Sequence, residues 1–301
     1  MKEILNEICS DPRITEISMG TIRPFSEYSG WEYYGATSKN DKADFPFPPL
    51  FIPIIIDYNS TPVAEGIIKH WFCEREYTFG YIDFGNGFLI GESARSYEQF
   101  IEGMLFEQFI DQFNYVMTDE FLSLAKKLQI SKEDLSKFYE ISERETNNTE
   151  CFLPIFIENQ PLNCIYNKNN YDGSHPSNES VIIERNILQA SFFEIFQKEW
   201  LGYDIKNRGF SIFNRKPKYQ PLDNIPDWLK PDIEKKELFE YYMVKKEYDK
   251  AWLTINGPGF NPNEVGERLQ RLKQVSTEKA FHLWADFWCS KYGYMDSFIF
   301  V

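Results

Sequence analysis

Residues 48–109 read PPLFIPIIIDYNSTPVAEGIIKHWFCEREYTFGYIDFGNGFLIGESARSYEQFIEGMLFEQF. This stretch decides the fold class, because its hydrophobic period changes once along its length. Leu50 to Ile56 is a short, β-branched apolar run, which favours a buried strand over a helix. Pro53 has no N–H to donate, so it places an edge, a bulge or a strand start at that point. Asp57 to Pro62 is turn-forming, and Val63 to Phe72 reads as a second strand. Tyr77 to Phe84 alternates as a third, and Phe88 to Ile90 continues as a fourth. Asn86-Gly87 between the last two is a hairpin signal, because Gly accepts positive φ and Asn tolerates it.

The period then becomes helical. Ser96 is an N-cap, and Tyr97, Phe100, Ile101, Met104, Leu105 and Phe109 recur on one stripe that predicts packing on the sheet. Glu98, Glu102, Glu107 and Asp111 are read as an acidic outer face of the same helix. The expectation is an α+β fold, a mixed or antiparallel sheet closed by a helix, followed by a mainly helical C-terminal region.

Working outward, Ile4, Leu5 and Ile8 open the chain as a short amphipathic segment. Residues 24–49 are aromatic and rich in Pro and Gly, which predicts irregular wrapping. Thr118 and Ser131 are further helix caps, Ser131 with Asp134 resembling a weak capping box before Leu135, Phe138 and Tyr139. Residues 144–180 are polar and loop-like around an apolar piece, Phe152 to Ile157, and a boundary between residues 1–150 and 151–301 is placed there. Ser180 to Leu201 reads as a helix stopped by Gly202, and residues 203–227 as irregular. One long helix is expected from Asp232 to Ile255, ending at Asn256-Gly257. A second starts at Asn261-Pro262 with Val265, Leu269 and Leu272 inward. A third follows Ser276, with Phe281, Leu283, Trp284, Phe287 and Trp288 available for burial and Gly293 as its stop. Short links predict antiparallel packing of these helices.

Composition bounds the function. The 301 residues carry 43% hydrophobic and 17% aromatic residues, ample for a folded core. The net charge of −14 repels nucleic-acid phosphates and anionic membranes and attracts a basic partner. Between Glu92 and Glu150, 13 acidic and 6 basic residues give a net of −7, half of the total in a fifth of the chain. Cys9, Cys73, Cys151, Cys164 and Cys289 are scattered and odd in number, which fits reduced thiols in a cytoplasmic protein. The start, MKEILNEICSDPR, lacks an apolar signal region, and no run approaches the ~18 apolar residues of a membrane span. N-x-S/T triplets at Asn59, Asn147 and Asn178 are read as chance matches.

No reaction motif is complete. His70, Cys73 and Glu74 are the nearest approach to a metal set, but on one strand they divide between its two faces. Ser93 in GESAR lacks the second glycine of a nucleophile elbow. The glycines of FGNGFLIG belong to a hairpin, not a dinucleotide loop. Asp57 and Asp83 both end apolar strands, leaving a two-carboxylate hydrolase or transferase as an alternative. A helical adaptor built on residues 228–301 is another. No cofactor or metal is expected.

The order IPIIID, IKHWF, YIDFGNGFLIG, ESARSYEQFIEGML resembles the core of the SUKH superfamily. Ile52, Pro53, Ile54 and Asp57 match its first strand, and Ala94, Ser96, Tyr97, Phe100 and Ile101 its closing helix. The family's usual opening is replaced here by Trp31-Glu32-Tyr33-Tyr34-Gly35, and the C-terminal helices lie outside its small domain. The resemblance covers about 60 residues. It implies an α+β fold and a non-catalytic role like that of bacterial immunity proteins that neutralise toxin domains. Such a partner would be basic. The expected contacts are Glu98, Glu102, Glu107 and Asp111, with Trp31, Tyr33 and Tyr34 as aromatic anchors.

Overall fold

The protein is described by a computed structural model at residues 1–23, 28–30, 46–57, 63–72, 76–83, 89–142, 155, 203–206, 218–221, 227–229, 233–257 and 259–296. The fold is α+β. Helices α1 (Lys2–Ile8) and α2 (Pro12–Ser18) precede a five-stranded antiparallel meander. Its strands are β1 (Tyr28–Gly30), β2 (Phe51–Asp57), β3 (Val63–Ile68), β4 (Thr78–Asp83) and β5 (Leu89–Ala94), each hydrogen-bonded to the next. Three helices follow: α3 (Tyr97–Asp111), α4 (Asp119–Lys127) and α5 (Lys132–Ser142).

Pro53 sits where its chemistry requires. The β2–β3 register shifts between Pro53 and Ile55, and the short β1 pairs only with Ile55 to Asp57, so no donor is demanded of Pro53 on that side. Opposite it stands Gly66. A Cβ there would lie 2.1 Å from the Ile52 carbonyl oxygen, so this bulge needs a glycine partner.

The unbroken apolar run of β2 is explained by burial on both faces. Phe79 pairs with Ile67, which pairs with Ile52, and Phe79 stacks on Phe100 of α3 with ring centroids 4.8 Å apart. The adjacent residue Phe51 points the other way and meets Phe47, edge to face at 5.9 Å. Phe47 in turn stacks on Trp284 and meets Tyr292 edge-on. Phe51, Ile52, Ile54, Ile55 and Ile56 are all buried.

Trp284 and Tyr292 belong to the C-terminal helices, which are α6 (Lys235–Lys245), α7 (Tyr248–Ile255), α8 (Pro262–Lys273) and α9 (Lys279–Tyr292). The proposed boundary at 150/151 falls outside the described residues, but the helices beyond it share one core with the sheet. The Trp284 Nε1–H donates to the Pro49 carbonyl (2.7 Å) and that of Trp288 to the Phe47 carbonyl (3.0 Å). Asn256, at the C-cap of α7, is fully engaged. Its Oδ1 accepts from Leu50 N–H (2.6 Å), and its Nδ2 donates to the Trp252 carbonyl (2.7 Å). Phe281 packs against Trp71, Phe72 and Trp252.

Several expectations are corrected. The long helix from Asp232 to Ile255 is two helices. Lys246 adopts a left-handed conformation (φ 59°), and the N–H groups of Lys246 and Glu247 close α6 on the carbonyls of Met243 and Tyr242. This stop uses no glycine, which hid it in the sequence. The second strand ends at Ile68, short of Phe72. Residues 203–227, expected to be irregular, contain an antiparallel pair, β6 (Tyr203–Lys206) with β7 (Lys218–Pro221). The 86–87 turn, the helix at 180–201 and Gly202 lie outside the described residues.

Other expectations match. Ser96 Oγ accepts from Gln99 N–H and Thr118 Oγ1 from Phe121 N–H. Asn261 and Glu264 form a reciprocal capping box, and Val265, Leu269 and Leu272 are buried behind it.

Candidate functional site

The acidic helix α3 is where sequence reasoning placed function, and its geometry differs from the expectation. At ~100° per residue, Glu98 and Glu102 project close together, while Glu107 and Asp111 project on the opposite side of the helix. The four do not form one face. Nor is one side of α3 free: Phe106 and Phe109 pack on Phe138 of α5, and Phe109 also on Phe121 of α4. Gln99, Glu102 and Gln108 are buried along with the apolar stripe. The amphipathic reading failed because the helices that follow cover the side that does not face the sheet.

Glu107 and Asp111 are exposed, as expected, and Glu98 is half-buried. Glu102 is the correction: only 9% of it is accessible. Trp31, Tyr33 and Tyr34 lie outside the described residues, as do Cys73 and Glu74 beside the buried His70. Among the described residues no group of His, Cys, Asp and Glu could hold a metal ion. Asp57 and Asp83 both register against Val63, from opposite sides of β3, so two strand spacings, about 10 Å, separate their backbones.

The N-terminal half of α3 carries a dense polar cluster. The Gln99 side chain accepts from the Arg95 N–H (2.6 Å) and donates to the Ile155 carbonyl (2.7 Å), which secures the start of the helix. Arg13 of α2 is held by Asp11 through Nε (3.0 Å) and Nη2 (2.8 Å), and its Nη1 donates to the Leu128 carbonyl (2.6 Å) at the end of α4. Its guanidinium lies 5.7 Å from the centre of the Tyr97 ring. Burial works to raise the Asp11 carboxyl, but the hydrogen bonds and charge of Arg13 outweigh it and hold it below the usual range. A hydrogen bond to Glu98, together with its charge, raises the Tyr97 hydroxyl. Cys9 and Tyr77, hydrogen-bonded to each other, are both raised by burial, which makes this thiol a poor nucleophile.

Glu102 stands apart within this cluster. Its carboxyl is pushed up to about 7, first by desolvation and then by the like charges of Asp134 and Glu98. Arg13, the cation of the neighbourhood, is already committed to Asp11 and Leu128. Sequence reasoning found Glu102 by its charge but missed its burial, because α5, which packs Phe138 on Phe106 and Phe109 and brings Asp134 near Glu102, reaches α3 only by folding back.

A second surface follows at the other end of α3. Asn114 and Tyr115 are both left-handed (φ 47° and 63°) in the link to α4. The link exposes Tyr115 and Val116, flanked by Asp111 before and by Asp119 and Glu120 after. No helix among the described residues is long and apolar enough to cross a membrane. Comparisons of the chain with protein-family models, with curated proteins and with solved structures each return no match.

Proposed function

We propose that this chain is a non-catalytic binding protein that captures a basic protein, of the kind that SUKH-like immunity proteins neutralise as toxin domains, in the cytoplasm. The observation that carries the reading is the link between α3 and α4. There an exposed aromatic and an exposed valine stand among Asp111, Asp119 and Glu120, within the segment that holds half of the net charge. An apolar anchor rimmed by carboxylates suits a cationic protein surface, the carboxylates accelerating encounter and the anchor holding the complex. The rim takes the place of a continuous acidic face on α3, since Glu102 is buried and Glu98 projects away from Glu107 and Asp111.

The test is binding of purified toxin domains encoded beside this gene, measured at 50 mM and 500 mM salt. A partner whose association rate falls at least tenfold with salt, and whose dissociation speeds up in Tyr115→Ala, supports the reading. The absence of any salt-sensitive partner among them sinks it.

A further inference from the structure

The junction of α3 and α5 holds a carboxylate without a partner among the described residues. Glu102 is nine-tenths buried, and no hydrogen-bond donor or cation among the described residues pairs with it. The charged groups facing it are both acidic, Glu98 one turn earlier on α3 and Asp134 from the first turn of α5. Asp134 is itself tied to Ser131, whose Oγ accepts from its N–H (3.0 Å) and donates to its carboxylate (2.5 Å). Of the lysines on α5, Lys137 is engaged by Glu140 (3.2 Å), and Lys132, in the first turn beside Asp134, is exposed to solvent. Arg13 is held by Asp11. Glu98 has the Tyr97 hydroxyl and the charge of Arg13 beside it, so the acid left without a partner among the described residues is Glu102, although an apolar side chain at 102 would suit so buried a helix position better.

We propose that Glu102, with Glu98 and Asp134, forms a receptor for a single guanidinium or ammonium side chain presented by a basic partner. A guanidinium fits best, because it is planar, weakly hydrated and able to donate two parallel hydrogen bonds to one carboxylate. This rests on the proposed capture of a basic protein and assigns it an anchor point separate from the α3–α4 link.

The receptor carries its own signature. Surface carboxylates are fully ionised above pH 6, so their attraction for a cation is flat from there upward. Glu102 is not, since its neighbours keep part of it protonated near neutrality. A cation entering the junction selects the ionised carboxylate and displaces its proton to solvent. Affinity through this site therefore rises about tenfold between pH 6 and pH 8, with net proton release at pH 7.

The experiment titrates the full chain with a nona-arginine peptide by calorimetry at pH 6, 7 and 8, in two buffers of different ionisation enthalpy. The wild type is expected to show the tenfold rise and release of about half a proton per bound peptide at pH 7. Glu102→Gln, which removes the charge but keeps the shape, is expected to lose both and to bind at pH 8 about tenfold more weakly. Its near-ultraviolet circular dichroism checks that it is folded. A combined Asp111→Asn, Asp119→Asn, Glu120→Gln variant is expected to weaken binding at every pH yet keep the proton release. If Glu102→Gln binds like the wild type while the triple variant does not, the receptor is wrong and the acidic-surface reading stands. If neither variant weakens binding, or the peptide does not bind, both fall.

Discussion

Helices α3 and α9 cover opposite faces of one sheet, and they treat their polar atoms differently. On the α9 side the contact is large, aromatic and mostly matched: Trp284 and Trp288 each donate an indole N–H to a carbonyl just before β2. Trp71 and Trp252, which pack on Phe281, are exceptions there, their indole N–H groups meeting no acceptor, and both groups are neutral. On the α3 side the apolar packing is as complete, but a carboxylate is left among like charges. An unmatched neutral donor costs about 1–3 kcal/mol, and an unmatched charge more, unless it takes up a proton. The α9 contact thus reads as a stabilising joint, and the α3–α5 junction as a place where stability has been given up.

Breaking the α9 side has the largest expected effect. Trp284→Ala removes a fully buried ring stacked on Phe47 and leaves the Pro49 carbonyl unpaired, and should cost about 3–5 kcal/mol. Urea unfolding followed by both far-ultraviolet circular dichroism and tryptophan fluorescence should show a single transition moved to lower urea. Two separate transitions would mean that the C-terminal helices and the sheet do not share their stability.

The α3 side should respond in the opposite direction. The Glu102 carboxyl takes up a proton more readily in the folded chain, at about 7, than in the unfolded chain. Its contribution is therefore fully present below the unfolded value, ~4.3, and is lost as pH rises through 7. Glu102→Gln should leave stability near pH 4 unchanged and raise it by about 2–3 kcal/mol at pH 8. Denaturation midpoints across that range measure it, and parallel curves for the two proteins would contradict the assignment.

Asn256→Ala has the smallest expected effect of the three and sharpens the comparison. It strips the acceptor from the buried Leu50 N–H while leaving the aromatic contact in place, at about 2 kcal/mol. Hydrogen exchange at the Leu50 amide should accelerate well beyond that of its neighbours in β2.

Much of this was legible along the chain, for a local reason. The strand run before Asp57, an edge, bulge or strand start at Pro53, the caps at Ser96, Thr118 and Asn261, and the inward Val265, Leu269 and Leu272 all follow from backbone chemistry or from period. What misled was context carried by residues far away. Glu102 looked solvated because Glu98, Glu107 and Asp111 share its charge, yet α5 lies over it. Asn256 looked like a turn residue, but its main partner is 206 positions earlier. Lys246 ends a helix in a conformation that glycine would have announced.

The sequence by itself determined the α+β class, the succession of strands β2 to β5, the position of α3 and the concentration of negative charge after residue 92. These rest on periodicity, turn chemistry and composition, which act over a few residues. Only the tertiary structure decided that the sheet is antiparallel and not mixed, that the C-terminal helices share its core, that α3 is covered on two sides, and which carboxylates meet water. Burial is set by what packs on an element from a distance, and the same glutamate is a solvated charge or a strained one depending on which helix returns to cover it.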